Sequence, residues 1–256
     1  MKCIKSNCYK LWKLKLGWVH LGFCLIMLLG LAGYFQLAGW SSARQLEGYS
    51  MLITWTLPMF VAVVITLVYE ADCKAGRFQL LLATPGSKVK AHGSNLLAAL
   101  MMGGVTIFGA ILGFGILFLK RKTGDEAWLQ AYHIGSFIEM AFLVAGVVIS
   151  LYILQYIICY SFGKGVSLSI GAIGTLLAPL MLLGIGDRVW KLFPCCYAMR
   201  MVRYRLLVQM RTVENSVLIT QDYHRGGTVI FGGSLVLLVV FAIWSSRWQG
   251  NKEITE

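Results

Sequence analysis

Six apolar runs recur along this chain, at 16–38, 49–69, 96–119, 134–160, 166–186 and 229–244, and their length limits what the chain can become. A helix rises about 1.5 Å per residue and a bilayer hydrocarbon core is about 30 Å thick, so roughly 20 apolar residues cross it. Runs this long are too apolar to be spared for the surface of a soluble domain. The chain is 58% hydrophobic and 13% charged, against about 45–50% and 25% for an ordinary soluble domain. A backbone inside lipid must satisfy its own hydrogen bonds, which favours helices. The expected fold is therefore an all-α membrane protein with six transmembrane helices. The last run is short for a span, but Arg247 and Trp248 beyond it can snorkel or anchor at the interface.

The polar segments between the runs set the expected topology. Residues 1–15 carry Lys2, Lys5, Lys10, Lys13 and Lys15 among Tyr9, Leu11, Trp12 and Leu14, forming a basic interfacial segment. A signal peptide also starts basic, but its apolar core is about 7–15 residues long, and 16–38 exceeds that without a clear A-x-A site. It reads as a retained first span. With the N-terminus inside, 12 of the basic residues fall inside and 11 outside, so the total decides little. The rule is weighted to short loops and span ends, and the five clustered lysines precede the first span, favouring N-in. Both termini are then cytosolic, with 249–256 a polar tail. The net charge of +12 clusters beside apolar runs, where attraction to anionic lipid accounts for it without nucleic acid.

Inside the runs a few residues stand out. Pro58 and Pro179 each remove a backbone hydrogen bond, which a span tolerates when neighbours cover the freed carbonyl. Gly103-Gly104 and Gly109-x-x-x-Gly113-x-Gly115 in the third run allow close helix approach, read here as packing. Glu139 is the one acid within a run and, at bilayer depth, a functional candidate for substrate contact or gating. It lies within about two turns of the expected outer boundary, which favours a water-facing or interfacial carboxylate. His20 reads as an interfacial side chain. Residues 187–228 form an expected outer loop whose stretch VWKLFPCCYAMRMVRYRLL suits an interfacial helix pair, with Arg200, Arg203 and Arg211 solvated and Trp190, Phe193 and Tyr197 in the headgroup layer. Cys24, Cys73 and Cys159 read as free thiols, and the neighbours Cys195 and Cys196 rarely form an unstrained disulfide.

Residues 70–95, EADCKAGRFQLLLATPGSKVKAHGSN, form the one substantial polar segment on the expected inner side. Ala75–Thr84 holds good helix formers, places Phe78, Leu81 and Leu82 on one face, and meets Pro85, which disfavours helix just before it. A short amphipathic helix between two spans is expected. Glu70 or Asp72, followed by Ala75-Gly76-x-Phe78-Gln79-x-Leu81-Leu82 and Pro85-x-Ser87-Lys88, resembles the loop between the second and third spans of ABC-2 type permeases. The AG-x-FQ-x-LL form looks most like the permeases of lantibiotic (bacteriocin) immunity transporters. Lys88 stands where Arg is usual in that pattern, and Asn95 where a Lys usually opens the next span. The motif covers about a tenth of the chain, and the span layout with its elaborated outer loop extends the similarity.

That resemblance implies a coupling helix on which a cytosolic ATPase docks, with Glu70, Asp72, Lys74, Gly76, Arg77, Phe78, Leu81, Leu82 and Pro85 at the contact. It implies a permease subunit that expels a lantibiotic-like peptide from the cell membrane and needs a second permease chain, related or identical. Neither a phosphate-cradling G-x-x-x-x-G-K-[ST] nor an H-E-x-x-H occurs, so ATP and Mg are expected on the partner ATPase and no cofactor or metal in this chain. The residues leave other readings open: an ABC-2 permease for a drug, lipid or polysaccharide, or a membrane immunity protein or channel without an ATPase.

Overall fold

The computed structural model describes residues 16–74, 78, 88–122, 127–210 and 216–250. Among these residues all regular structure is helical. The basic segment 1–15, the segment 251–256 and Gly76, Arg77, Leu81, Leu82, Pro85 and Arg211 lie outside them.

Among the described residues seven helices carry the fold. Helix α1 is Leu16–Leu37, loosened into a π turn at Ile26–Gly30. Then come α2 (Ser42–Lys74), α3 (Lys88–Arg121), α4 (Ile134–Phe162), α5 (Lys164–Leu180), α6 (Tyr197–Met210) and α7 (Ser216–Arg247). A single turn, Ala127–Gln130, precedes α4, and three 3-10 turns lie between α5 and α6. Five of these helices, α1, α2, α3, α4 and α7, are long and apolar enough to cross a membrane. The protein is accordingly a helical membrane protein.

The apolar runs at 49–69 and 96–119 lie inside α2 and α3, but these helices have 33 and 34 residues. At about 1.5 Å per residue each is roughly 50 Å long and outreaches the hydrocarbon layer by several turns. Water does not end a helix whose next residues still favour one, so the polar ends of α2, with Glu47 at one end and Glu70, Asp72 and Lys74 at the other, remain helical. The fifth run behaves oppositely. Its helix stops at Leu180, one residue beyond Pro179, and has 17 residues, so the expected span to Gly186 is shortened. The expected loop 187–228 is mostly helix: α6, and the first turns of α7, which runs unbroken through the sixth apolar run.

Helix α4 is the hub, touching α2, α3, α5, α6 and α7, while α1 leans on α3 and α2. Lipid is as apolar as leucine, so close packing and polar links, not hydrophobicity alone, hold such helices together. The glycines of α3 serve this on two faces. A Cβ on Gly113 would lie 2.7 Å from Leu28 of α1, and one on Gly115 2.6 Å from the Phe137 ring of α4. Gly103 meets the Tyr152 hydroxyl group as closely. On α5, Gly174 admits Pro58 and Cys195. The α4–α5 junction is Gly163 at φ 86°, a left-handed conformation that suits glycine, and it reverses the chain in one residue.

Candidate functional site

Where α2 ends and α3 begins, the two sides of the polar segment 70–95 are held by one buried cluster. Asp72 projects from the last turn of α2 and is 6% exposed. One of its oxygens, Oδ2, accepts hydrogen bonds from Asn95 Nδ2 of α3 at 2.7 Å and from the Tyr160 hydroxyl of α4 at 2.6 Å. A carboxylate taken from water is tolerable only when such donors replace its hydration.

Around this pair sits a shell of rings. His92 Nδ1 lies 3.0 Å from the Tyr156 hydroxyl, and its ring meets Trp248 edge-on at 4.7 Å and Trp244 at 5.4 Å. Tyr156 and Tyr160 stack at 4.2 Å. Trp248 Nε1 donates to the Tyr160 carbonyl at 3.1 Å, and Trp244 Nε1 to Ser161 Oγ at 2.9 Å. Lys88 Nζ donates to the Trp248 carbonyl at 2.8 Å. At the surface Glu70 pairs with Lys164 at 3.1 Å. The cluster thus joins α2, α3, α4 and the end of α7 at one level.

Phe78 belongs to this shell. It is 3% exposed and packs against Tyr69, Tyr160 and Trp248. Its φ is 66° and its N–H reaches the Asp72 carbonyl at 3.4 Å. Both facts correct the expectation of Phe78 on the outward face of a right-handed helix over 75–84. A left-handed backbone costs a non-glycine residue roughly 1–2 kcal/mol, and burying a phenyl ring among three aromatic side chains outweighs that. Of the other expected coupling residues, Glu70 and Asp72 are placed as above, and Lys74 is the last residue of α2.

At the opposite end α6 lies across α2, α4 and α7. Three of its arginines pair with carboxylates from three places: Arg203 with Glu47 of α2, Arg205 with Glu139 of α4, and Arg200 with Asp187 of the preceding turn. Glu139 is largely exposed, and its carboxylate pairs with Arg205. Arg200 departs from expectation, being 6% exposed, with Trp190 and Tyr204 beneath its guanidinium and Nη1 donating to the Met181 carbonyl at 2.9 Å. Burial opposes its charge, but the hydrogen bonds to Asp187 and Tyr204 prevail and raise its pKa. Trp190 and Tyr197 are likewise buried in the fold. Cys195 and Cys196 are free thiols 3.6 Å apart. The hydrogen bond between them lowers the Cys195 pKa and raises that of Cys196. His20 is buried as well, its Nδ1 on the Leu16 carbonyl at 2.8 Å and its ring edge-on to Phe60.

Tyr156, Tyr160 and Trp244 are absent from the residues that the sequence singles out, and Asn95 and Trp248 enter there only as a departure from the motif and as an interfacial anchor. A signal does exist for them: Tyr152, Tyr156 and Tyr160 recur every fourth residue, as do Trp244 and Trp248, each set on one helical face. Comparison with family models, with curated proteins and with solved structures gave no match.

Proposed function

We propose that this chain is the permease subunit of an ABC transporter, driven by a separate ATPase, that expels a lantibiotic-like peptide from the cell membrane. The observation that carries the reading is the Asp72 cluster. Residues 70–88 bear the ABC-2 resemblance, and both flanks of that segment are tied, through Asp72, Asn95 and Tyr160, into α2, α3 and α4. A displacement applied to the segment by a nucleotide-driven partner would be delivered to three long helices at once, and to α7 through Trp248. Stiff hydrogen-bonded and stacked contacts suit that task better than a loop joined only by its peptide chain.

In this reading α5 also crosses, as the fifth of six spans. Its 17 residues give roughly 25 Å, which slight bilayer thinning accommodates. Both termini lie in the cytosol, the Glu139 end faces outward, and a second permease chain completes the pathway.

Copurification with a nucleotide-binding chain tests the reading. Leu81→Asp should detach the ATPase and abolish ATP-driven protection while the permease stays in the membrane. Phe78→Asp should instead unfold the Asp72 cluster, because it buries a carboxylate among aromatic rings. A Leu81→Asp protein that binds the ATPase and protects cells as well as the parent would overturn the coupling role.

A further inference from the structure

The C-terminal turns of α7 bear a groove that the transport reading does not use. Val240, Ile243, Trp244, Arg247 and Trp248 line it, and it measures ≈ 410 Å³, within the roughly 300–1,000 Å³ of small-molecule sites. Its walls are apolar in effect. The indole N–H groups of Trp244 and Trp248 are already spent on Ser161 and the Tyr160 carbonyl, so the rings offer the groove only carbon. One charged side chain, Arg247, belongs to the lining. Among the described residues no carboxylate pairs with it. Two acids of the neighbouring cluster are committed, Asp72 to Asn95 and Tyr160 and Glu70 to Lys164. A second cation, Lys88, is drawn to the lining by its bond to the Trp248 carbonyl.

We infer that this groove binds one anionic phospholipid, with an acyl chain along Val240 and Ile243 and the phosphate on Arg247. The position fits. The groove lies where the apolar part of a membrane-spanning helix gives way to Arg247 and Trp248, the level at which a phosphate meets aromatic side chains. The carbonyls that end a helix repel an anion. Lys88 covers one of them, and Arg247 supplies the opposing charge. The inference depends on the membrane placement of α7 and not on the transport reading.

Native mass spectrometry tests it. The full chain is reconstituted in vesicles of equal phosphatidylglycerol and phosphatidylcholine, extracted in mild detergent, and its retained lipids are counted. The parent should keep phosphatidylglycerol over phosphatidylcholine. Arg247→Gln should lower that ratio about fivefold, the weight of one basic side chain facing anionic lipid. Arg247→Lys should restore most of it, and Arg225→Gln should leave it unchanged. A parent ratio equal to that of the vesicles, or an Arg247→Gln ratio equal to the parent's, overturns the site. Release of the lipid by excess inorganic phosphate would reduce it to an anion site without a chain groove, and also overturns it. So does Val240→Trp, if filling the groove separates paired chains while the lipid ratio holds, because the groove is then an interface between copies.

Discussion

Asp72 accepts two short hydrogen bonds on one oxygen, and the two donors come from different helices. Removing the Tyr160 hydroxyl therefore removes a link between α2 and α4 and leaves a buried carboxylate short of a donor, which costs about 1–3 kcal/mol. Asp72→Asn also weakens the link, since an amide accepts less strongly than a carboxylate. Because the two changes act on one bond, their effects should fall short of additive by about 0.5 kcal/mol or more in a double-mutant cycle. Thermal unfolding of Asp72→Asn, Tyr160→Phe and the pair in detergent measures this, and strict additivity would mean that the bond carries no energy. Asp72 is legible in the sequence as a polar residue beside an apolar run, but its partners lie 23 and 88 residues away. No spacing rule links residues so far apart. Only the ladder of Tyr152, Tyr156 and Tyr160 marks the face of α4 that receives them.

At the scale of elements, α6 shows why hydrophobic patterning alone misplaces a helix. Arg200 and Arg203 read as solvated, and Arg203, like its neighbour Arg205, is close to that: the Arg205 and Arg203 pairs join partly exposed side chains to carboxylates that are 60% and 41% exposed. Arg200 is different because its guanidinium is covered while its partner Asp187 stays exposed. Sequence order cannot tell the three apart, since the cover comes from Trp190 and from the Met181 carbonyl, outside the helix. The difference is measurable. Arg205→Ala should change stability by about 0–1 kcal/mol and less in high salt. Arg200→Ala should cost more, about 1.5–3 kcal/mol for the loss of its hydrogen bonds to Asp187, Tyr204 and the Met181 carbonyl, and its loss should depend less on salt. Equal, salt-sensitive losses for both would show that Arg200 is solvated after all. The long helices are the part most legible beforehand, because each apolar run falls on a helix. Their ends are not, because α2, α3 and α7 continue into polar sequence that still favours helix.

For the molecule as a whole, the open quantity is the number of crossings and their direction, and both turn on α5. Among the described residues five helices have the length and apolarity to cross a membrane, whereas α5 has 17 residues. The total of basic residues does not decide direction, since the expected topology divides them 12 inside and 11 outside. The residues flanking α5 do. Lys164 begins it after the Gly163 turn, and Arg188 lies past its far end on the Asp187 turn, both exposed. In a cysteine-free background, Lys164→Cys and Arg188→Cys can each be treated with a membrane-impermeant maleimide on intact cells. Losing the exposed Lys164–Glu70 pair costs about 0–1 kcal/mol, so the fold survives the probe. If α5 crosses and the five N-terminal lysines hold their end inside, position 188 labels and position 164 labels only after the membrane is opened. Labelling of both, or of neither, would make α5 a helix that turns back within the membrane, leaving five crossings and the two termini on opposite sides. Labelling of 164 alone would put the Asp72 cluster outside the cell, beyond the reach of a cytosolic ATPase, and the transport reading would fall with it.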